Sequence, residues 1–211
     1  SISLDKATKN SEISPYSNLI EGKNTTHYSI IDKDGNAVSN TFTLGYSYGS
    51  GVTIPGTGIL MNNQMSNFSY DYDSPSISGR FANPLNRLEP NKRSVTNMSP
   101  IMTFEDNELR LITGSPGGAR IPAAILRVIT GVIDFDLSIS DATMLPRINM
   151  NFTPDEYLEY ESIVSKDTVD NLEKKGHLMI QSKSIGGTQS IYSINGVNYG
   201  YSDLRRPNGG V

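Results

Sequence analysis

The 211-residue sequence contains no cysteine, which removes a disulfide framework, a thiolate metal site and a cysteine nucleophile from consideration. The redox compartment stays open, since an oxidising space tolerates a cysteine-free chain as readily as the cytoplasm does. Histidine is scarce too: His27 and His177 stand far apart without carboxylates at ligand spacing, so neither a metal nor a cofactor is expected. A net charge of −4, a pI near 5.2 and scattered lysines and arginines provide no basic field for nucleic acid. Long apolar runs are missing as well. The longest, residues 121–135, is interrupted by Arg127, Thr130 and Asp134 and is too short to span a bilayer. The opening SISLDKATKN lacks the basic start and apolar run of a signal peptide, so any targeting segment would lie upstream.

What remains is a globular, turn-rich composition of about one domain's length, 36% hydrophobic and 19% charged, with 19 glycines and 11 prolines. Residues 1–24 are polar and without apolar periodicity, which predicts an extended tail. From Thr26 to Lys33 and from Asn36 to Leu44, β-branched and aromatic residues flank Asp34-Gly35, which predicts a hairpin with a type I′ turn. GILMNN (58–63) reads as a buried strand, and 69–91, rich in Ser, Pro, Asn and Tyr, as a long surface loop. A second hairpin is expected over 101–105 and 108–113, turning at Asp106-Asn107, and a third about Asn195-Gly196. Between them, apolar residues at Ile121, Ile125, Val128, Ile129, Val132 and Ile133 predict a buried helix entered through Gly117-Gly118. Shorter helices should follow around 140–145 and 166–175, the latter stopped by Gly176. This order describes an α+β fold with antiparallel sheet dominant. One long apolar helix cannot cover both faces of such a sheet, so the other face is either wet or covered by a separate chain, and the separate chain is the expectation.

Without cysteine and without a Gly-x-Ser-x-Gly elbow, threonine is the remaining nucleophile class. A threonine hydroxyl needs a base beside it, and the nearest is its own α-amine once the chain is cut before it. Thr25 follows a polar tail and opens a strong strand, as such a nucleophile would. On their own, Thr25-Thr26 are equally ordinary strand sequence, and Asn24-Thr25-Thr26 is also a glycosylation sequon. Gly117-Gly118 likewise reads either as a pair of backbone donors for developing negative charge or as a plain strand-to-helix turn.

Five stretches, in order, resemble the small subunit of gamma-glutamyltranspeptidases: TTHYSIIDKDGNAVS (25–39), GTGILMNNQM (56–65), PNKRSVTNMSP (90–100), TGSPGGARI (113–121) and YGYSDLRRP (199–207). Residues 1–24 look like the end of that family's large subunit, and 25–211 like the small subunit. The resemblance implies an αββα N-terminal-nucleophile hydrolase sandwich, of which this chain is the C-terminal, small-subunit portion. It implies a precursor that cuts itself between Asn24 and Thr25. Thr25 would then attack the γ-amide of glutathione or another γ-glutamyl donor, and water, an amino acid or a peptide would resolve the acyl-enzyme. Thr43 matches the threonine that bonds to the nucleophile, Gly117 and Gly118 the oxyanion donors, and Gln64 a residue that binds the donor's α-amino group. The large subunit of the same precursor becomes the expected partner, and a periplasmic or secreted location is implied.

Departures from the family pattern cluster in the substrate pocket. Gly45 stands where the family usually has Asn, and Asn67 (in MSNFS) where it has Asp (in MDDFS). Thr96-Asn97 replaces the serine pair of PLSSMSP that binds the α-carboxylate, and the lid tyrosine aligns by count with Ser78, near Tyr70 and Tyr72. The arginine that binds the α-carboxylate belongs to the large subunit, and Arg80, Arg87 and Arg93 offer no convincing replacement. Alternatives to a glutathione enzyme are a relative with another acyl donor, such as a glutaryl amide or cephalosporin-type acylase or a polyglutamate capsule depolymerase, and an unprocessed binding module.

Overall fold

A computed structural model describes residues 25–69, 84–151 and 157–206. In chain order its strands are β1 (Thr25–Ile31), β2 (Ala37–Thr43), β3 (Ile101–Glu105), β4 (Glu108–Thr113), β5 (Ile148–Asn151), β6 (Tyr157–Glu161), β7 (Leu178–Ser182), β8 (Gln189–Ile194) and β9 (Val197–Ser202). The helices are α1 (Ile121–Ile133), α2 (Ile139–Met144) and α3 (Lys166–Lys174). Two compact units result: the described parts of 44–96 with 148–183, and of 23–43 with 97–147 and 184–211.

The second unit contains two antiparallel arrangements, the β1–β2 hairpin and a sheet ordered β3-β4-β8-β9. Its core forms where α1 lays one face on the sheet. Ile121, Ala124, Ile125, Val128 and Val132 recur every three or four residues and are buried, and Val128 and Val132 pack with Leu111 of β4 and with Ile139 and Ala142 of α2. Tyr192 and Tyr201 close the cluster from the sheet side. Gly131 lets the two helices meet, because a methyl group there would stand 2.8 Å from the Ala142 Cβ.

The expected hairpins form, with one exchange of turn chemistry. Asp106-Asn107 (φ 51° and 65°) and Asn195-Gly196 (φ 52° and 75°) carry the two positive φ angles of type I′ turns. Around Asp34-Gly35 only Gly35 is positive, at φ 84°, so the expected type I′ turn is replaced by a five-residue loop, 32–36. Asp32 is the physical reason: its carboxylate accepts from the Asp34 and Asn36 backbone N–H groups and from the Asn36 amide, and Gly35 N–H donates to the Asp32 carbonyl.

The first unit holds a three-stranded sheet ordered β5-β6-β7, which periodicity did not signal. Strands β6 and β7 run parallel, joined by the crossover helix α3, whose first turn is capped by the Ser165 hydroxyl accepting from Thr168 N–H. The buried strand expected over 58–63 does not form. Ile59 and Met61 are exposed, and Leu60 only bridges Thr53. Glycines at 56 and 58 with positive φ turn the chain there instead of extending it. Within the expected loop, Ser69 bridges Arg87 and Pro84–Asn86 form a 3-10 turn, while 70–83 lie outside the described residues.

Candidate active site

Thr25 is the first residue of β1 and faces Thr43, the last residue of β2, across the antiparallel ladder. Alternation along β1 buries Thr25 and His27 and leaves Thr26 and Tyr28 outside. Thr25 is 7% exposed. The inner face of the hairpin is therefore a polar ladder: Thr25 opposite Thr43, His27 opposite Thr41, Ser29 opposite Ser39.

Gly117 and Gly118 lie in the same unit, between β4 and α1. The φ of Gly117, 137°, suits glycine alone, that of Gly118, 56°, is left-handed, and a 3-10 turn over Gly118–Arg120 leads directly into α1. Two further residues hold this loop. The buried Ser115 hydroxyl donates to the Pro116 carbonyl at 2.6 Å and accepts from Gly187 N–H at 2.9 Å. Gly186, at φ 70°, sits so close that a side chain on Gly117 would come within 3.1 Å of its Cα.

Behind that second glycine pair lies a fully buried ion pair, Arg147 Nη2 to Asp203 Oδ2 at 2.7 Å. Arg147 also donates to the carbonyls of Ile185 and Thr143, and Asp203 accepts from the backbone N–H groups of Thr188 and Arg205. Burial alone would push the Asp203 carboxyl up, but Arg147, Arg205 and these N–H groups together hold it below its ordinary value. The charges are satisfied on several sides and fix residues 185–188 against the Gly117 loop.

The expected substrate residues divide between the units. Asn97 belongs to the second; Gly45, Gln64, Asn67 and Thr96 belong to the first. There Asn67 is buried in a 3-10 turn, Gln64–Asn67, and its amide donates to Gln64 Oε1 at 2.6 Å, so these two candidates are brought together. Gly45 has φ 93°, a backbone that asparagine adopts only with strain, so its departure from the family pattern is matched to the local chain path. Asn24, Tyr70, Tyr72 and Ser78 lie outside the described residues. Among the described residues no cluster of three or more His, Asp or Glu side chains is placed to hold a metal ion, and no helix is long and apolar enough to cross a membrane.

A model of the family described as gamma-glutamyltranspeptidase matches residues 1–211, the whole chain. The chain belongs to the gamma-glutamyltranspeptidase family. It is 41% identical over 206 residues to the glutathione hydrolase proenzyme of Escherichia coli strain K12, covering 97% of this chain and 35% of that protein. The chain thus spans about a third of that relative. A crystal structure of a Helicobacter pylori gamma-glutamyltranspeptidase T380A mutant is similar at 40% identity with a TM-score of 0.79, covering 86% of this chain and 100% of that one. At greater distance, the acylase ACY 1 proenzyme of Pseudomonas sp. strain SE83 is 31% identical over 175 residues, 83% of this chain and 29% of that protein.

His27 was read only as an isolated histidine without a role, and Ser115, Gly186, Arg147 and Asp203 were not singled out by sequence reasoning. The repeat of a Gly-Gly pair at 117–118 and 186–187 was the available signal for one of them. A lone histidine two residues past a threonine offers none.

Proposed function

We propose that this chain is the nucleophile-bearing portion of a γ-glutamyl transferase and hydrolase acting on glutathione and related γ-glutamyl compounds. The observation that carries this is the threonine pair, Thr25 opening β1 and Thr43 closing β2 in register, in one compact unit with the Gly117-Gly118 loop. Cleavage between Asn24 and Thr25 frees an α-amine that serves as the base for the Thr25 hydroxyl. The hydroxyl oxygen attacks the γ-amide carbonyl carbon, and the Gly117 and Gly118 N–H groups hold the oxyanion. The carbon–nitrogen bond breaks, the leaving amine takes the proton, and an ester on Thr25 remains. Water, an amino acid or a peptide then attacks the ester carbonyl carbon, giving up its proton to the α-amine; the bond to the Thr25 oxygen breaks and that oxygen takes the proton back. Residues 1–24 are the end of the large subunit and 25–211 the small subunit. The large subunit of the same precursor completes an αββα sandwich, and the mature protein works in the periplasm or outside the cell.

Mass spectrometry of the full-length product tests the first step: a chain starting at Thr25 is expected, and its absence after prolonged incubation would support an unprocessed binding module. Thr25→Ala should leave the precursor uncut.

A second reading concerns the donor. Asn67 supplies an amide where a carboxylate would meet the donor's ammonium, which removes a charge-assisted bond of about 1.5–3 kcal/mol, roughly tenfold to a hundredfold in affinity. A donor lacking the α-amino group, such as a glutaryl amide, suits this pocket, and the ACY 1 proenzyme shows that a relative at 31% identity carries an acylase name. Comparing kcat/KM for glutathione and glutaryl amides decides between the two donors.

A further inference from the structure

His27 lies on the buried face of β1, one alternation inward from Thr25, and both of its ring nitrogens are engaged. The partners define the direction of each bond. Ser29 Oγ spends its single proton on the Gln189 carbonyl, 2.9 Å away, so toward His27 it can only accept. The ring's Nε2, 3.1 Å from Ser29 Oγ, therefore carries the hydrogen. In a neutral imidazole Nδ1 is then bare, and the Thr41 hydroxyl donates to it at 2.7 Å. A one-way chain results: Thr41 to His27 to Ser29 to the Gln189 carbonyl.

The chain closes on the candidate oxyanion loop. Gln189 N–H donates to the Gly114 carbonyl at 3.1 Å. Gly114 in turn packs directly on the imidazole: a methyl group there would overlap the ring. Gly114 follows β4 and stands three residues before Gly117. Ser39 reinforces the seam by donating to the Thr113 carbonyl at 3.2 Å.

We propose that His27 is a positioning residue for the reaction of Thr25: an Nε2–H imidazole strut that sets the nucleophile strand against the segment leading to Gly117-Gly118. It does not touch the substrate or move a proton. This rests on the acyl-transfer reading of Thr25, because a strut between nucleophile and oxyanion donors matters only if both act. Misplacement of reacting groups by about 1 Å can lower a rate on the order of a hundredfold, so a strut of this kind belongs in kcat rather than in KM.

The test uses full-length protein carrying His27→Ala, His27→Gln, and the pair His27→Ala with Gly114→Ala, in which the new methyl refills space vacated by the ring. Competent sites are counted by titration with a covalent γ-glutamyl analogue, so that kcat is expressed per site. For His27→Ala we expect per-site kcat to fall at least about tenfold with KM within about twofold. The paired variant should regain the thermal midpoint without regaining kcat, and His27→Gln, which can still donate to Ser29, should recover part of it. A per-site kcat near wild type in His27→Ala, or one restored by the paired variant, would reduce the histidine to packing and overturn the proposal. If His27→Ala fails to fold, His27→Phe, which fills the space of the ring without donating to Ser29, decides by the same criterion. Nitrogen-15 NMR of histidine-labelled wild-type protein should give the Nε2–H tautomer, and an Nδ1–H tautomer would overturn the relay. A wild type with no titratable threonine would sink the acyl-transfer reading instead, and the tautomer would still judge the hydrogen-bond chain.

Discussion

Asn67 and Gln64 illustrate how much one atom can decide. The Asn67 amide nitrogen donates to Gln64 Oε1 at 2.6 Å, which commits one lone pair of that oxygen to its neighbour. In Asn67→Asp the direction must reverse, with the Gln64 amide donating to the new carboxylate. The variant should lower KM for a γ-glutamyl donor roughly tenfold to a hundredfold and leave a glutaryl donor no better bound. Steady-state kinetics with both donors checks this; a glutaryl donor gaining equally would remove the charge argument. His27 gives a second residue-level expectation. Burial pulls its pKa from 6.5 down to about 4, so between those values the unfolded chain binds the extra proton and the folded one does not. Stability should therefore fall as pH drops from about 6.5 to 4, and His27→Gln should flatten that part of a urea-midpoint profile. Thr25 stands out as a candidate nucleophile only because five ordered motifs surround it. His27 was not legible, since its partners come from β2, β8 and the end of β4, and such a convergence leaves no local spacing in the chain.

At the level of elements, punctuation and hairpin pairing were legible, and the pairing of β5, β6 and β7 was not. The Asp106-Asn107 and Asn195-Gly196 turns, the α1 stripe and the Gly176 stop follow from local backbone preferences, and they form where those preferences put them. The loop at Asp34-Gly35 departs because a side chain four residues before Asn36 supplies a competing acceptor. Strands β5, β6 and β7 escaped notice because a parallel β6–β7 pair depends on a crossover rather than a turn signal. The α1–α2 packing yields a prediction of its own. Gly131→Ala gains helix propensity of up to about 1 kcal/mol, but its methyl would meet the Ala142 Cβ at 2.8 Å and the Leu145 Cδ1 at 3.2 Å. Overpacking of this kind costs about 1–3 kcal/mol, so the net effect should be destabilising and visible as a lowered thermal midpoint. An unchanged or raised midpoint would mean that α2 yields without loss.

Across the whole molecule, the balance between buried charge and exposed apolar surface sets the remaining expectations. Replacing Arg147 by Met leaves Asp203 buried beside Arg205 alone and should cost about 3–5 kcal/mol, read from urea unfolding. Because the Asp203 carboxyl is held below its usual value of 3.8, the stability it contributes is present above that pH and disappears as pH falls through its folded-state pKa. The opposite imbalance lies on the outer face of the β1–β2 hairpin, where Tyr28, Ile30, Val38 and Phe42 are 40%, 49%, 44% and 52% exposed. Ile30 and Val38 face each other across the ladder, so the patch is continuous and not scattered. Under the proposed function the remainder of the precursor covers it; a chain of 25–211 produced alone has only other copies of itself to use. Such a chain should elute from size exclusion as a concentration-dependent oligomer, and Val38→Lys with Phe42→Lys should return it toward monomer by placing like charges on that face. A compact monomer at every concentration would mean that this face needs no cover.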